Sequence, residues 1–235
     1  MGVFHFKEFD VDDRGCGMKI CSDSVLLAAW FLPCYSDASR VLDIGTGSGV
    51  LALLAAQICQ QAIVTGVEID EGAYAAARDN FAASPFTSRL AAQLCDINTY
   101  NPEAEHDLII CNPPYFTNGE RSADGARSGA RHQDTLTFDT LMTVPLAPGG
   151  HLGIVTPADA YDKVICPAEF RHRKLRRLCR VSTAPGKEAS RLLWDFSTDD
   201  GAIIQENLHL RDADGNYSEA YRAIVEPYYQ KLPQR

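Results

Sequence analysis

Asn112-Pro113-Pro114-Tyr115 brings together a side-chain carbonyl, a backbone carbonyl belonging to a residue with no N–H, and a flat aromatic ring. That set suits a planar NH2 group. An aromatic amine or carboxamide nitrogen is a poor nucleophile, because its lone pair is delocalised into the ring or carbonyl. Transfer to such a nitrogen needs in-line positioning and acceptors that favour charge build-up as it turns tetrahedral. Asn112 offers Oδ1, Pro113 its backbone carbonyl, and Tyr115 a face on which an extruded base can stack. The tetrapeptide does not select the nitrogen: adenine N6, cytosine N4, guanine N2 and a glutamine side chain are all compatible.

A second motif lies upstream. Val41-Leu42-Asp43-Ile44 runs into Gly45-x-Gly47-x-Gly49, a strand entering a helix through a turn with little room for side chains. A nicotinamide fingerprint would read GxGxxG and seat a pyrophosphate, which Asp43 would repel. The same acid suits the ammonium and sulfonium of S-adenosylmethionine (SAM). The next strand ends in Val67-Glu68-Ile69-Asp70, and Glu68 is placed to accept both ribose hydroxyls. Asp96, after a third strand, is placed to accept the adenine amine. Ile69, Ile97 and Asn112 complete the expected cofactor-binding set.

The elements that must position these residues follow a regular alternation. Strand-like runs cover Arg40–Ile44, Ala62–Glu68, Leu90–Cys95, Asp107–Cys111, His151–Thr156, Lys174–Ser182 and Arg191–Phe196. Helical stretches cover Val50–Cys59, Gly72–Ala82, Phe138–Leu146 and Ala158–Arg171. The alternation predicts a mostly parallel sheet with helices on both faces. Its last two strands are joined only by Thr183–Lys187, so they predict an antiparallel edge hairpin. Ser22 is expected to N-cap a helix over Asp23–Phe31 that presents Val25, Leu26, Ala29 and Trp30 on one side.

Composition bounds the rest. A chain of 235 residues with 46% hydrophobic content fits one globular domain. Within it we expect an N-terminal extension over 1–39 covering the cofactor, a core over 40–200 and a C-terminal extension over 201–235. The net charge of −9 argues against a uniformly basic nucleic-acid coat. The charge is uneven: 9 Lys and Arg face 19 Asp and Glu in residues 1–150, but 13 face 12 in residues 151–235. No apolar run reaches the ~18–20 residues of a membrane helix, and the N-terminus lacks a signal-peptide pattern. The eight cysteines show no CxxC pair, so free thiols of a cytoplasmic protein are expected, with no metal.

Taken together, the strand ends and the glycine turn resemble class I SAM-dependent methyltransferases, with a Rossmann-like seven-stranded sheet. Over almost its full length the chain resembles the bacterial tRNA1(Val) (adenine(37)-N6)-methyltransferase family. The likeness runs through Phe6-Lys7-x-Phe9, Met18-Lys19-x-x-Ser22-Asp23-Ser24-Val25-Leu26-Leu27-x-Ala29-Trp30, Val41–Leu54, Asn112–Tyr115 and Asn216–Tyr221. It departs at Ser22, where the family more often has Gly-Thr or Thr. The resemblance implies methylation of N6 in the adenosine immediately 3′ of the anticodon of a valine tRNA; a monomer or weak dimer is expected. A glutamine-N5 protein methyltransferase shares the clamp, but would be expected to carry a helical domain before the core. A non-catalytic SAM-binding protein would be expected to have lost the clamp or the glycine turn.

A tRNA substrate needs positive charge. Arg171, Arg173, Lys174, Arg176, Arg177 and Arg180 form an acid-free run that could contact phosphates or simply be a solvated edge. Arg127 and Arg131 lie in a small-residue stretch, Arg121–His132, that could order over the target base. Lys19 and Asp23 sit on the piece expected over the cofactor. Tyr217 and Tyr221 are spaced to pack against each other on a terminal helix.

Overall fold

The computed structural model describes residues 2–17, 19–114 and 136–232. Eight strands form the central sheet: β3 (Arg40–Ile44), β4 (Ile63–Glu68), β5 (Leu90–Leu94), β6 (His106–Cys111), β7 (Leu146–Pro157), β8 (Lys174–Ser182), β9 (Ala189–Ser197) and β10 (Ile204–His209). Their spatial order is β10-β8-β9-β7-β6-β3-β4-β5, and β9 alone runs antiparallel to its neighbours. The chain builds β3, β4 and β5 outward in one direction, then returns to lay β6 and β7 on the other side of β3. That reversal leaves a crevice at the carboxyl ends of β3 and β6, where open α/β sheets take their ligands.

Period-two alternation explains why both faces are covered. Val41, Leu108 and Ile110 point into one core, which they share with α1 (Ser22–Phe31), α2 (Val50–Ile58), α3 (Glu71–Ala83) and α6 (Glu219–Val225). Leu42, Ile44, Ile109 and Cys111 point into the other, with α4 (Phe138–Thr143) and α5 (Tyr161–Phe170). A helix set on each face matches the alternation read from the sequence.

Three details differ from the sequence reading. The sheet has an eighth strand, β10, which pairs parallel with β8 and moves the β8–β9 hairpin off the edge. Of its residues only Leu208 is buried, so it carried no apolar pattern to read; backbone pairing holds it. Cys21, not Ser22, is the N-cap of α1, with no side-chain cap bond. That helix is buried on all sides from Ser24 to Phe31, because α2, α6 and β7 all pack against it. Lastly, α4 stops at Thr143, and β7 begins at Leu146, well ahead of the expected His151.

The two terminal extensions hold each other. A hairpin of β1 (Val3–His5) and β2 (Asp10–Asp12) leads to Phe6, whose ring stacks on Phe9 at 4.8 Å and Tyr229 at 5.6 Å. The Lys7 amide donates to the Tyr228 carbonyl at 2.9 Å. Tyr217 and Tyr221 stack on each other at 5.1 Å, but not as neighbours on one helix, since α6 begins at Glu219 and Tyr217 precedes its N-cap, Ser218. All eight cysteines are free thiols, four of them buried. Among the described residues no helix is long and apolar enough to cross a membrane, and no acid–His–Cys cluster could hold a metal.

Candidate active site

The glycine turn wraps the end of β3. Gly45, Gly47 and Gly49 all have positive φ, at 68°, 57° and 85°, a region costly for side chains. At Gly49 a Cβ would also meet Phe81 Cε1 at 2.4 Å. The turn is tied sideways to β4, since the Gly45 and Thr46 amides both donate to the Val67 carbonyl.

Asp43 lies beneath this turn with no solvent exposure. Its Oδ2 accepts from Thr46 Oγ1 at 2.7 Å and from the Ala52 amide at 3.0 Å, so it anchors the turn to the first turns of α2. Oδ1 is buried and has no partner among the described residues. Burial, only partly offset by those two hydrogen bonds, pushes its carboxyl up to about 7. The structural role of anchoring the turn was not visible in the sequence.

Glu68 ends β4 and stays accessible. Oε2 accepts from the Gly47 amide at 2.9 Å, while Oε1 accepts from the Ile69 and Asp70 amides at 2.8 and 3.0 Å. Three backbone donors therefore fix the carboxylate at the mouth of the turn. Asp96 follows β5 and forms an Asx turn, its Oδ1 accepting from the Asn98 amide at 2.9 Å. Ile69 and Ile97 flank these acids, both half-buried. Register aligns the group: Ile44 pairs with both Val67 and Cys111, and Glu68 pairs with Leu94.

Asn112 and Pro113 leave β6 on the other side of Asp43. The Asn112 Nδ2 donates to Ser24 Oγ at 2.9 Å and to Cys21 Sγ at 3.2 Å, both at the start of α1. Its Oδ1 is buried and unpartnered among the described residues. Pro113 is buried, and Tyr115 lies outside the described residues, as do Arg121, Arg127, Arg131 and His132. Sequence reasoning missed Cys21 and Ser24, because nothing local in α1 signals a partner far along the chain. The N-terminal extension also reaches the turn: Asn80 Nδ2 donates to the Asp12 and Ser48 carbonyls, linking β2 to the glycine turn.

Two buried acceptors with no donor among the described residues, beside a positive-φ turn and an anchored carboxylate, fit a cationic cofactor and an amine substrate. Comparison with known proteins agrees. A family model described as methyltransferase small domain matches residues 16–164. A tRNA1(Val) (adenine(37)-N6)-methyltransferase from Photobacterium profundum is 40% identical over 240 residues, covering 97% of this chain and 98% of the relative. One of the same name from Vibrio vulnificus is 37% identical over 232 residues, covering 97% and 96%. The chain belongs to this methyltransferase family. A described predicted O-methyltransferase from Agrobacterium tumefaciens shares the fold at TM-score 0.66 and 18% identity, over 87% of this chain and 96% of that one. The glycopeptide N-methyltransferase MtfA, complexed with sinefungin, does so at TM-score 0.55 and 14% identity, over 77% and 88%. The enzyme is SAM-dependent, as befits the methyltransferase family to which it belongs.

The basic run of the methyltransferase, which the sequence left open between a phosphate contact and a solvated edge, is tied into the protein by internal partners. Arg173 is buried, and its guanidinium donates to the Met142 and Val144 carbonyls, so it closes the end of α4 instead of facing solvent. Arg171 pairs with Asp139 at 2.6 Å and Lys174 with Asp200 at 3.3 Å. Arg176 donates to the Asp199 and Asp200 carbonyls. Arg177 stacks on Trp30 at 4.2 Å and bonds Glu206 at 3.1 Å. Arg180 donates to the neutral Gln205 Oε1 at 2.8 Å. The run also points along the sheet: Lys174 lies level with Ser197 and His151, whereas Arg180 lies level with Leu192 and Thr156. Only the Arg180 end reaches the edge at which Asn112 emerges. Asp23 pairs with Arg191 at 2.8 Å, and Lys19 Nζ donates to the Asp13 carbonyl at 3.0 Å.

Proposed function

We propose that the enzyme methylates N6 of the adenosine 3′ of the anticodon, adenine 37, in a valine tRNA. The observation that carries this reading is the buried Asn112 Oδ1 at the carboxyl end of β6, which has no partner among the described residues. It is supported by full-length relatives that bear the name of that activity.

When bound, SAM supplies an electrophilic methyl group and leaves as a neutral thioether. Glu68 holds the ribose, Asp43 favours the positive charge above the turn, and Asp96 meets the adenine amine, with Ile69 and Ile97 beside them. On the substrate side, Asn112 Oδ1 and the Pro113 carbonyl each accept one N–H of the target amine. Held so, its nitrogen rotates out of ring conjugation. The freed lone pair forms the new N–C bond as the methyl carbon parts from sulfur. Positive charge builds on nitrogen, both accepted hydrogen bonds strengthen, and one proton then leaves to water. Tyr115 stacks the base. Arg180 meets backbone phosphates, and the protein works in the cytoplasm as a monomer or weak dimer.

The test is to incubate the protein with labelled SAM and unmodified tRNA, digest the RNA and identify the methylated nucleoside. N6-methyladenosine at position 37 of a valine tRNA is the expected product. Label confined to a protein fraction would instead favour glutamine methylation.

A further inference from the structure

A carboxamide serves as an acceptor only when turned the right way. Rotated by half a turn about its last side-chain bond, Asn112 would aim two N–H donors at the cleft, and these would repel the amine. Nothing in the tetrapeptide fixes that choice. In the structure it is the NH2 end that faces the first turn of α1. Its Cys21 Sγ and Ser24 Oγ sit 3.2 and 2.9 Å from Nδ2, and 3.7 Å from each other. They take both amide hydrogens and leave Oδ1 pointing away from α1, buried and unpartnered among the described residues. Ser24 is itself 6% exposed, so little water competes for its oxygen.

The helix that carries them is held in place independently. Asp23, between the two, pairs with Arg191 at 2.8 Å on β9. Trp30, near its other end, donates to Glu206 at 2.9 Å. The start of α1 is thus fixed against the sheet at the level where β6 releases Asn112, since Arg191 pairs with Pro157 on β7.

We propose that Ser24, with Cys21, is the positioning device that sets the orientation of the Asn112 carboxamide and so makes the clamp accept. The proposal rests on the reading of Asn112 as the amine acceptor. Ser24 touches neither reacting atom; it acts through Asn112 alone.

Ser24→Ala keeps a good helix former in a helical position and removes only the oxygen. Single-turnover methylation at saturating SAM and tRNA is expected to slow about tenfold, as for loss of one net hydrogen bond, with the Kd for SAM unchanged. Combining it with Cys21→Ala should slow the reaction further. In an Asn112→Asp background the side chain presents an oxygen whichever way it turns, so Ser24→Ala should have little additional effect there. An equal loss in both backgrounds would overturn the proposal and make Ser24 a mere packing residue. A second readout needs no activity. In protein carrying 15N-labelled asparagine, the Asn112 NH2 signal, assigned by its absence in Asn112→Ala, should exchange slowly with water and exchange faster in Ser24→Ala. An exchange rate untouched by the substitution overturns the proposal too. Should Asn112→Ala itself retain wild-type turnover, the fault lies with the clamp reading, and the two failures are told apart.

Discussion

The carboxyl ends of β3 and β6 and the basic strand β8 are both dense in polar groups, yet they are built on opposite logic. At the first, Asp43 and Asn112 each keep one buried oxygen without a donor among the described residues. Leaving such atoms unpaired costs roughly 1–3 kcal/mol apiece, a cost a fold accepts where a ligand will repay it. From Arg171 to Arg180, by contrast, every cation has a partner within the protein, and only the buried Arg176 Nε is left without one among the described residues. Charge counted along the sequence left β8 open between an interaction surface and a solvated edge. Unmet hydrogen-bonding capacity points to the strand ends where two such oxygens flank the positive-φ turn, which the scattered others, Arg176 Nε among them, do not. The second signal is the more discriminating, because an arginine is as useful for closing carbonyls as for holding phosphate.

The largest expected effect comes from removing one of the unpartnered acceptors. Asn112→Ala should lower kcat by about 10²–10³ while leaving the Kd for SAM nearly unchanged, as for loss of a group that stabilises developing charge. Wild-type turnover would break the comparison at its strongest point. Next is a cation on the other side. Arg173→Met leaves the Met142 and Val144 carbonyls without their donor and should destabilise the fold by about 2–3 kcal/mol in urea unfolding. The tRNA KM of the folded protein should not move; a raised KM at unchanged stability would return Arg173 to the interaction surface.

Asp43 sharpens the comparison through pH. Its carboxyl titrates near 7 when folded, against an ordinary value of 3.8, because it is buried. The raised value means that its contribution to the stability of the free protein is fully present below about 4 and is lost as pH rises through 7. A cationic ligand favours the ionised form. The Kd for SAM should therefore fall about tenfold between pH 6 and pH 8 relative to Asp43→Asn, in which the dependence is absent. Parallel pH profiles for the two proteins would show that Asp43 serves the glycine turn alone.

These expectations also mark what the sequence could and could not carry. The strands β3 and β8 begin and end at Arg40, Ile44, Lys174 and Ser182, as their patterns indicated. Apolar alternation bounded by polar residues is a local signal. The three glycines of the turn were legible for the same reason, since each stands where φ is positive. Partnerships between distant residues leave no such trace. Asn112 meets Ser24 across 88 positions, and Arg173 reaches Met142 across 31, through the packing of helices on the sheet. The edge strand β10 was missed because Gln205, Glu206 and Asn207 look like loop residues until β8 supplies their backbone pairs.

The smallest effect tests whether any part of β8 serves RNA. Arg180 is expected to behave differently from its neighbours for two reasons. Its described partner, Gln205, is neutral, so no acid offsets its charge there as one does at Arg171, Lys174 and Arg177. Six residues beyond Lys174 on the strand, roughly 20 Å, it also stands at the active-site end of the sheet. Arg180→Glu should leave the unfolding midpoint almost unchanged, raise the tRNA KM about threefold, and reduce the slope of log KM against log salt by about one. The same reversal at Lys174, at the far end, should leave KM and its salt slope where they were. If both substitutions raise KM alike, the whole strand edge attracts RNA despite its internal pairs. If neither does, phosphate contacts lie elsewhere, and β8 is structural throughout.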